Sequence, residues 1–158
     1  MPDVEWIEVE IAGGIKIKVD KEFWDRLHHL TWYLNSDGYV VATIYIGNGK
    51  QRSIRLSREI IGATVGILVD HKNGDRLDNR SCNLRVATPS QNMMNKKMQC
   101  NNLSGFKGVS HKSRNSWQSS IKVDGVDIYL GSFSSPEDAH KAYRDAAIKA
   151  FGEFACFR

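Results

Sequence analysis

The chain has 158 residues, 41% of them hydrophobic and 25% charged, enough for one ordinary globular domain or two to three small ones. No apolar run approaches the roughly 20 residues of a membrane span, and Met1-Pro2-Asp3-Val4-Glu5 lacks a basic start and apolar core, so a cytoplasmic site of action is expected. The net charge of +4 is uneven, −2 over residues 1–70, +7 over 71–114 and −1 over 115–158, a basic band suited to a phosphate backbone rather than the uniform basicity of a packaging protein.

In chain order, Glu5–Ile11 and Ile15–Val19 alternate apolar and polar about Gly13-Gly14, which predicts a β-hairpin. Asp20 is expected to cap a short helix from Glu22 to Leu30. Tyr39–Ile46 and Lys50–Leu56 read as two strands around Gly47-Asn48-Gly49, a turn built for positive φ. Trp24, Trp32, Tyr33 and Tyr39 are expected in the core, because aromatics at strand spacing in a small module are packing residues before they are stacking platforms.

Residues 66–97 predict strand, loop, strand, helix. Ile67-Leu68-Val69 is a short strand ending on Asp70 and His71, and the segment around Leu84 and Val86 returns beside it. Thr88, Pro89 and Gln91 form a helix start, with Thr88 as N-cap, Pro89 in the first position and Gln91 closing a capping box. Met98–Ser104 is polar and aperiodic, a linker. Three strands follow, Phe106–His111, Trp117–Val123 and Val126–Phe133, the last two joined by Asp124-Gly125. Ser135-Pro136-Glu137-Asp138 then opens a helix that ends near Gly152. Its Ala139, Ala142, Tyr143, Ala146, Ala147 and Ala150 share one face, a small stripe that lets the helix lie close on the sheet. Cys82, Cys100 and Cys156 contain no Cys-x-x-Cys pair, so neither a disulfide framework nor a four-cysteine zinc ribbon is supported.

The chemistry concentrates at Asp70, His71, Asn83 and Asn92. Phosphodiester hydrolysis needs a water, a base to take its proton, and positive charge at the scissile oxygens. His71, with an ordinary pKa of about 6.5, is a candidate base near neutrality. Asp70 offers a hard anionic oxygen, and Asn92 a neutral amide oxygen from the capped helix. Two protein ligands leave positions for water and phosphate, which suits Mg²⁺ or Mn²⁺, and a thiol-free site argues against zinc. Asn83, 12 residues past His71, can bridge backbone groups and hold the loop. An Asp-His pair by itself is ordinarily structural; these four residues with these elements between them are specific as a set.

Val69-Asp70-His71-x-Asn73-Gly74-Asp75, Leu77-Asp78-Asn79-Arg80, Asn83-Leu84-Arg85 and Thr88-x-x-x-Asn92, within residues 56–97, resemble the HNH nucleases, most closely phage-type homing endonucleases with Asn at the third motif position. The resemblance implies a ββα-metal (His-Me finger) core, metal ligation by Asp70 and Asn92, water activation by His71 and support of the His loop by Asn83. Residues 104–157, through Ser104–Ser110, Trp117-x-x-x-Ile121, Tyr129-Leu130-Gly131-x-Phe133, Ala142-Tyr143-x-x-Ala146-Ala147 and Gly152–Ala155, resemble the ethylene-response-factor type of DNA-binding domain. In that fold the sheet enters the major groove, and by position Lys107, Ser110, Lys112, Arg114, Lys122 and Tyr129 would face DNA.

The expected class is therefore α+β: a β-rich module over residues 1–62, a nuclease core over 63–98, a linker over 99–104, and a three-stranded antiparallel sheet packed on one helix over 105–158. The expected activity is metal-dependent cleavage of double-stranded DNA, of homing type and one strand per site, by a monomer or homodimer in the host cytoplasm, with no membrane and no small-molecule cofactor beyond the cation. The rival expectation is a non-catalytic, sequence-specific DNA-binding regulator, for which an intact ligand set would serve no purpose.

Overall fold

The computed structural model of the chain describes residues 4–95, 98 and 102–157, and the chain divides into two compact units, Met1–Thr88 and Pro89–Arg158. The first opens with the expected hairpin: β1 (Trp6–Ile11) pairs antiparallel with β2 (Ile15–Asp20), Ile11 opposite Ile15. Gly13 and Gly14 take φ of 86° and 73°, where a side chain would be strained. Alternation buries Ile17 and Val19 completely.

The helix α1 (Lys21–Leu27) stops three residues short of the expected Leu30. Asp20 stands at its N-cap, yet its side chain makes no cap bond there. Its buried carboxylate accepts from the Ser81 backbone N–H at 2.8 Å instead, because a tertiary donor reaches it inside the core. A second sheet, in the order β3-β4-β5, joins β3 (Trp32–Leu34), β4 (Val40–Tyr45) and β5 (Gln51–Arg55). Neither β3 nor the helix α2 (Leu56–Ile61) was expected, since three residues show no period and α2 follows a strand with no intervening turn residue. The helix is made by burial of Leu56, Ser57 and Ile60, and Gly62 ends it at φ 65°.

Finally β6 (Leu68–His71) pairs antiparallel with β7 (Leu84–Ala87), Asp70 opposite Arg85 and His71 opposite Leu84. One core, including Ile17, Val19, Trp32, Ala42, Leu56 and Leu84, underlies all of these elements. Of the four aromatics, Trp32 is buried with its indole N–H on the Leu27 carbonyl, and Trp24 packs at the edge of the core. Tyr33 is exposed, a correction to the core assignment, and Tyr39 is half-buried. Both keep a polar tip where solvent or polar neighbours reach it.

The second unit begins with the helix α3 (Pro89–Met94), so the two strands of the expected nuclease core lie in one unit and its helix in the other. Residues 99–101 of the expected linker lie outside the described residues. Asn102–Ser104 is tied down, with Asn102 Oδ1 accepting from the backbone N–H groups of Ser104 and Gly105. The sheet has the order β10-β9-β8, from β8 (Val109–Ser113), β9 (Ser116–Val123) and β10 (Val126–Phe133). β8 starts later than Phe106 because a turn with Gly108 at φ 76° occupies the expected first residues.

The helix α4 (Pro136–Phe151) packs on this sheet. Ser135 caps it as expected: its Oγ accepts from the Asp138 N–H at 3.1 Å and donates to the Asp138 carboxylate at 2.7 Å. Ala139, Tyr143 and Ala147 are buried, whereas Ala150 is exposed near the helix end and leaves the predicted stripe. Among the described residues no disulfide forms, Cys100 lies outside them, and no helix is long and apolar enough to cross a membrane.

Candidate active site

The short strand β6 carries Asp70 and His71 to its end, both buried. The chain then turns at once: Gly74 donates its N–H to the His71 carbonyl at 2.8 Å and adopts φ 66°. The loop that follows is held by side-chain amides. Asn83 accepts from the Asn73 N–H at 3.0 Å and donates to Asn73 Oδ1 at 3.0 Å and to the Asp78 carbonyl at 2.7 Å. Its carbonyl accepts from the Lys72 N–H at 2.8 Å, so Asn83 fastens both the start and the middle of the loop behind His71. Arg80 grips Asp78 through two 2.8 Å bonds, and this pairing holds the Asp78 carboxyl below its ordinary range.

Asn79 is the residue against the His71 ring. It is 1% exposed, its backbone N–H donates to the Lys18 carbonyl at 2.8 Å, and its Nδ2 donates to the Arg76 carbonyl at 3.1 Å. That bond decides which end of the amide faces inward, and Oδ1 lies 3.3 Å from His71 Nε2. An amide oxygen only accepts, so this contact is the one made by the tautomer with its hydrogen on Nε2. Burial pushes the His71 pKa below its ordinary value of 6.5, with the Arg76 charge acting the same way, against the Asn79 bond and the Asp70 and Asp75 charges.

Asp70 forms a buried ion pair with Arg85, whose Nε donates to Oδ2 at 2.9 Å. A carboxylate has about four lone-pair sites, so Arg85 on one oxygen does not exhaust its capacity as a ligand. Among the described residues no three His, Cys, Asp or Glu side chains cluster as a metal cage. The Asp70 carboxylate is itself a hard oxygen donor, the kind a divalent cation such as Mg²⁺ takes. Asn92 is half-buried on α3, in the second unit, apart in the chain from the Asp70 and His71 strand.

On the C-terminal sheet Ser110, Lys112, Arg114, Lys122 and Tyr129 are exposed. Pairing sets Ser110 opposite Gln118, Tyr129 opposite Ser120 and Lys122 opposite Asp127, which places Ser110, Lys122 and Tyr129 on the sheet face away from buried Ile121. Lys107 differs: it precedes β8, and its ammonium donates to the Met94 carbonyl at 3.0 Å. Lys122 pairs with Asp127 at 3.0 Å in a solvent-exposed ion pair.

Sequence reasoning did not single out Asn79 and Arg85, which the structure sets against His71 and Asp70. Asn79 looked like one more turn residue in a polar loop; antiparallel pairing of the two strands would have found Arg85 opposite Asp70.

A family model described as HNH endonuclease matches residues 65–94, the segment holding Asp70, His71, Asn79, Asn83 and Asn92. The chain is 32% identical over 142 residues to an uncharacterized HNH endonuclease of Acanthamoeba polyphaga mimivirus, covering 88% of this chain and 71% of that protein. It is 34% identical over 94 residues to Protein 3.8 of Escherichia phage T7, covering 59% and 77%. A solved structure of DNA binding and cleavage by the HNH homing endonuclease I-HmuI aligns over 92% of this chain and 90% of that one, at 18% identity and a TM-score of 0.38, too low to bear on the site. The family model spans the buried His71 and its amide-held loop, and the viral relative extends the likeness along most of both chains: this protein belongs to the HNH endonuclease family and is an endonuclease.

Proposed function

We propose that this endonuclease hydrolyses phosphodiester bonds of double-stranded DNA, one strand per active site, with His71 as general base. The observation that carries the reading is the Asn79–His71 contact, which the tautomer with its hydrogen on Nε2 makes and which leaves Nδ1 as the proton acceptor. A water bound there gives its proton to Nδ1 as it attacks the phosphorus in line. Asn83 keeps the loop, and so the imidazole, from drifting. Asp70 would give a carboxylate oxygen to one divalent cation, Mg²⁺ or Mn²⁺, which supplies positive charge to the phosphoryl oxygens when bound. The basic band over residues 71–114 adds affinity for the backbone.

Residues 105–158 act in this reading as an ethylene-response-factor-like reader, its exposed Ser110, Lys112, Arg114, Lys122 and Tyr129 toward the duplex, in a homing-type nuclease with its core over 63–98. Phosphate contacts give affinity and base-edge contacts preference. The test is supercoiled plasmid incubated with Mg²⁺ or Mn²⁺, with and without EDTA. The wild-type protein is expected to nick it only with the cation, and His71→Ala to lose nicking at least a hundredfold while still retaining DNA. Undiminished cutting by His71→Ala would overturn the assignment.

A further inference from the structure

The first unit gathers two cations beside the base, of which the Arg76 guanidinium has so far entered only through its charge on His71. The guanidinium carbons of Arg55, at the end of β5, and Arg76, in the loop after His71, each lie 4.4 Å from the centre of the Tyr39 ring. That centre is 6.3 Å from the centre of the His71 ring. Three segments distant in the chain thus converge beside the base. Tyr39 and Arg76 are anchored: the Tyr39 N–H donates to Asn35 Oδ1 at 2.8 Å, and the Arg76 guanidinium donates to the Asp37 carbonyl. The Arg76 carbonyl accepts from Asn79, the same amide that holds His71.

The neighbouring arginines are committed elsewhere. Arg80 pairs with Asp78, Arg85 pairs with Asp70, and Arg58 donates to the carbonyls of Ala63, Thr64 and Ile67. Among the described residues neither Arg55 nor Arg76 pairs with a carboxylate, and both are exposed. Stacking on a partly exposed ring is a weak attraction, and here it brings two like charges together. The arrangement gains most from an anion between or beside them. A guanidinium that stacks by its face keeps its N–H fork along its edge, the geometry that matches the two non-bridging oxygens of a phosphodiester.

We propose that Arg55 and Arg76, gathered on Tyr39, clamp a backbone phosphate of the strand that is cut at His71. The inference rests on the reading of His71 as the base. The forks meet oxygens whose negative charge grows as water attacks, so the clamp acts on rate as well as on retention. Through Asn79 the clamp and the base share one support, which keeps phosphate and proton acceptor in register.

The experiment is single-turnover cleavage of supercoiled plasmid in Mg²⁺ by Arg55→Met, Arg76→Met and the double variant, beside Arg→Lys at both positions and with melting temperatures measured. Methionine keeps an apolar stem on Tyr39 and removes the charge. Each single variant is expected to cut about tenfold more slowly, less than the roughly hundredfold or more of a buried donor because these side chains are exposed, and the double about a hundredfold. The lysine variants should recover part of the rate, and the salt slope of DNA retention should fall by about one per arginine removed. A double variant that cuts at the wild-type rate overturns the clamp and leaves the endonuclease reading intact, whereas wild-type protein that leaves the plasmid uncut overturns both. A rate loss matched by loss of folded protein would assign the two arginines to stability and also overturn the clamp.

Discussion

The His71 imidazole is pulled in two directions, and burial wins. An acceptor amide and the charges of Asp70 and Asp75 favour the imidazolium, while desolvation, helped by Arg76, favours the neutral ring. A base must be neutral to act, so a lowered pKa keeps it competent at pH values where an ordinary histidine is protonated. Activity is then lost as pH falls through the lowered value and is fully present above it. The acid limb of kcat/KM is expected to have its midpoint below 6.5, and Asn79→Asp, which sets a carboxylate against Nε2, should move that midpoint up. A wild-type midpoint at or above 6.5 would contradict this account of the site. At this scale Asp70, His71 and Asn83 stood out as candidates from residue type and spacing, because a base, a hard oxygen and a loop-bridging amide are chemically distinctive, and the structure shows Asn83 bridging the loop. Asn79 and Arg85 did not, since an asparagine in a loop and an arginine in a strand take their roles from partners 8 and 15 residues away.

Turn chemistry and capping worked at the scale of elements wherever a single residue dictated the backbone. Asp124 and Gly125 take φ of 50° and 83° and bring Val123 opposite Val126, and Ser135 caps α4 as its spacing to Asp138 predicted. Gly108 shows the same logic with a packing reason. A Cβ added there would come within 1.9 Å of the Tyr143 ring, at φ 76°. Gly108→Ala is expected to destabilise the second unit by about 2–4 kcal/mol, from overpacking and left-handed strain together, and to lower its melting temperature. A melting temperature equal to the wild type would mean that ring and turn shift at little cost. The missed elements, β3 and α2, share one cause: they are too short for a period, and burial of Trp32, Leu56 and Ile60 in a core assembled from distant segments is what makes them form.

For the whole molecule, charge placement is the property that bears most on function. The chain concentrates +7 in residues 71–114, and the second unit presents Lys112, Arg114 and Lys122 to solvent. If these side chains neutralise phosphates, retention of duplex DNA depends on salt, and a Lys112→Ser, Arg114→Ser, Lys122→Ser variant should reduce the slope of log affinity against log salt by about 0.9 for each phosphate no longer neutralised. Gel-shift titrations over a salt series measure it; an unchanged slope would remove this face from the interface. By itself the sequence determined the family, the α+β class, most strands and turns, and the candidates for the active site, because periodicity, glycine φ preferences and side-chain chemistry are local properties. Only the tertiary structure decided that Asn79 stands against His71 Nε2, that Arg85 pairs with Asp70, that Asp20 serves Ser81 rather than its own helix, and that two arginines meet on Tyr39. Each of these depends on closing a loop of 8 residues or more, and a hydrogen bond or stack across such a closure leaves no period for a linear pattern to reveal.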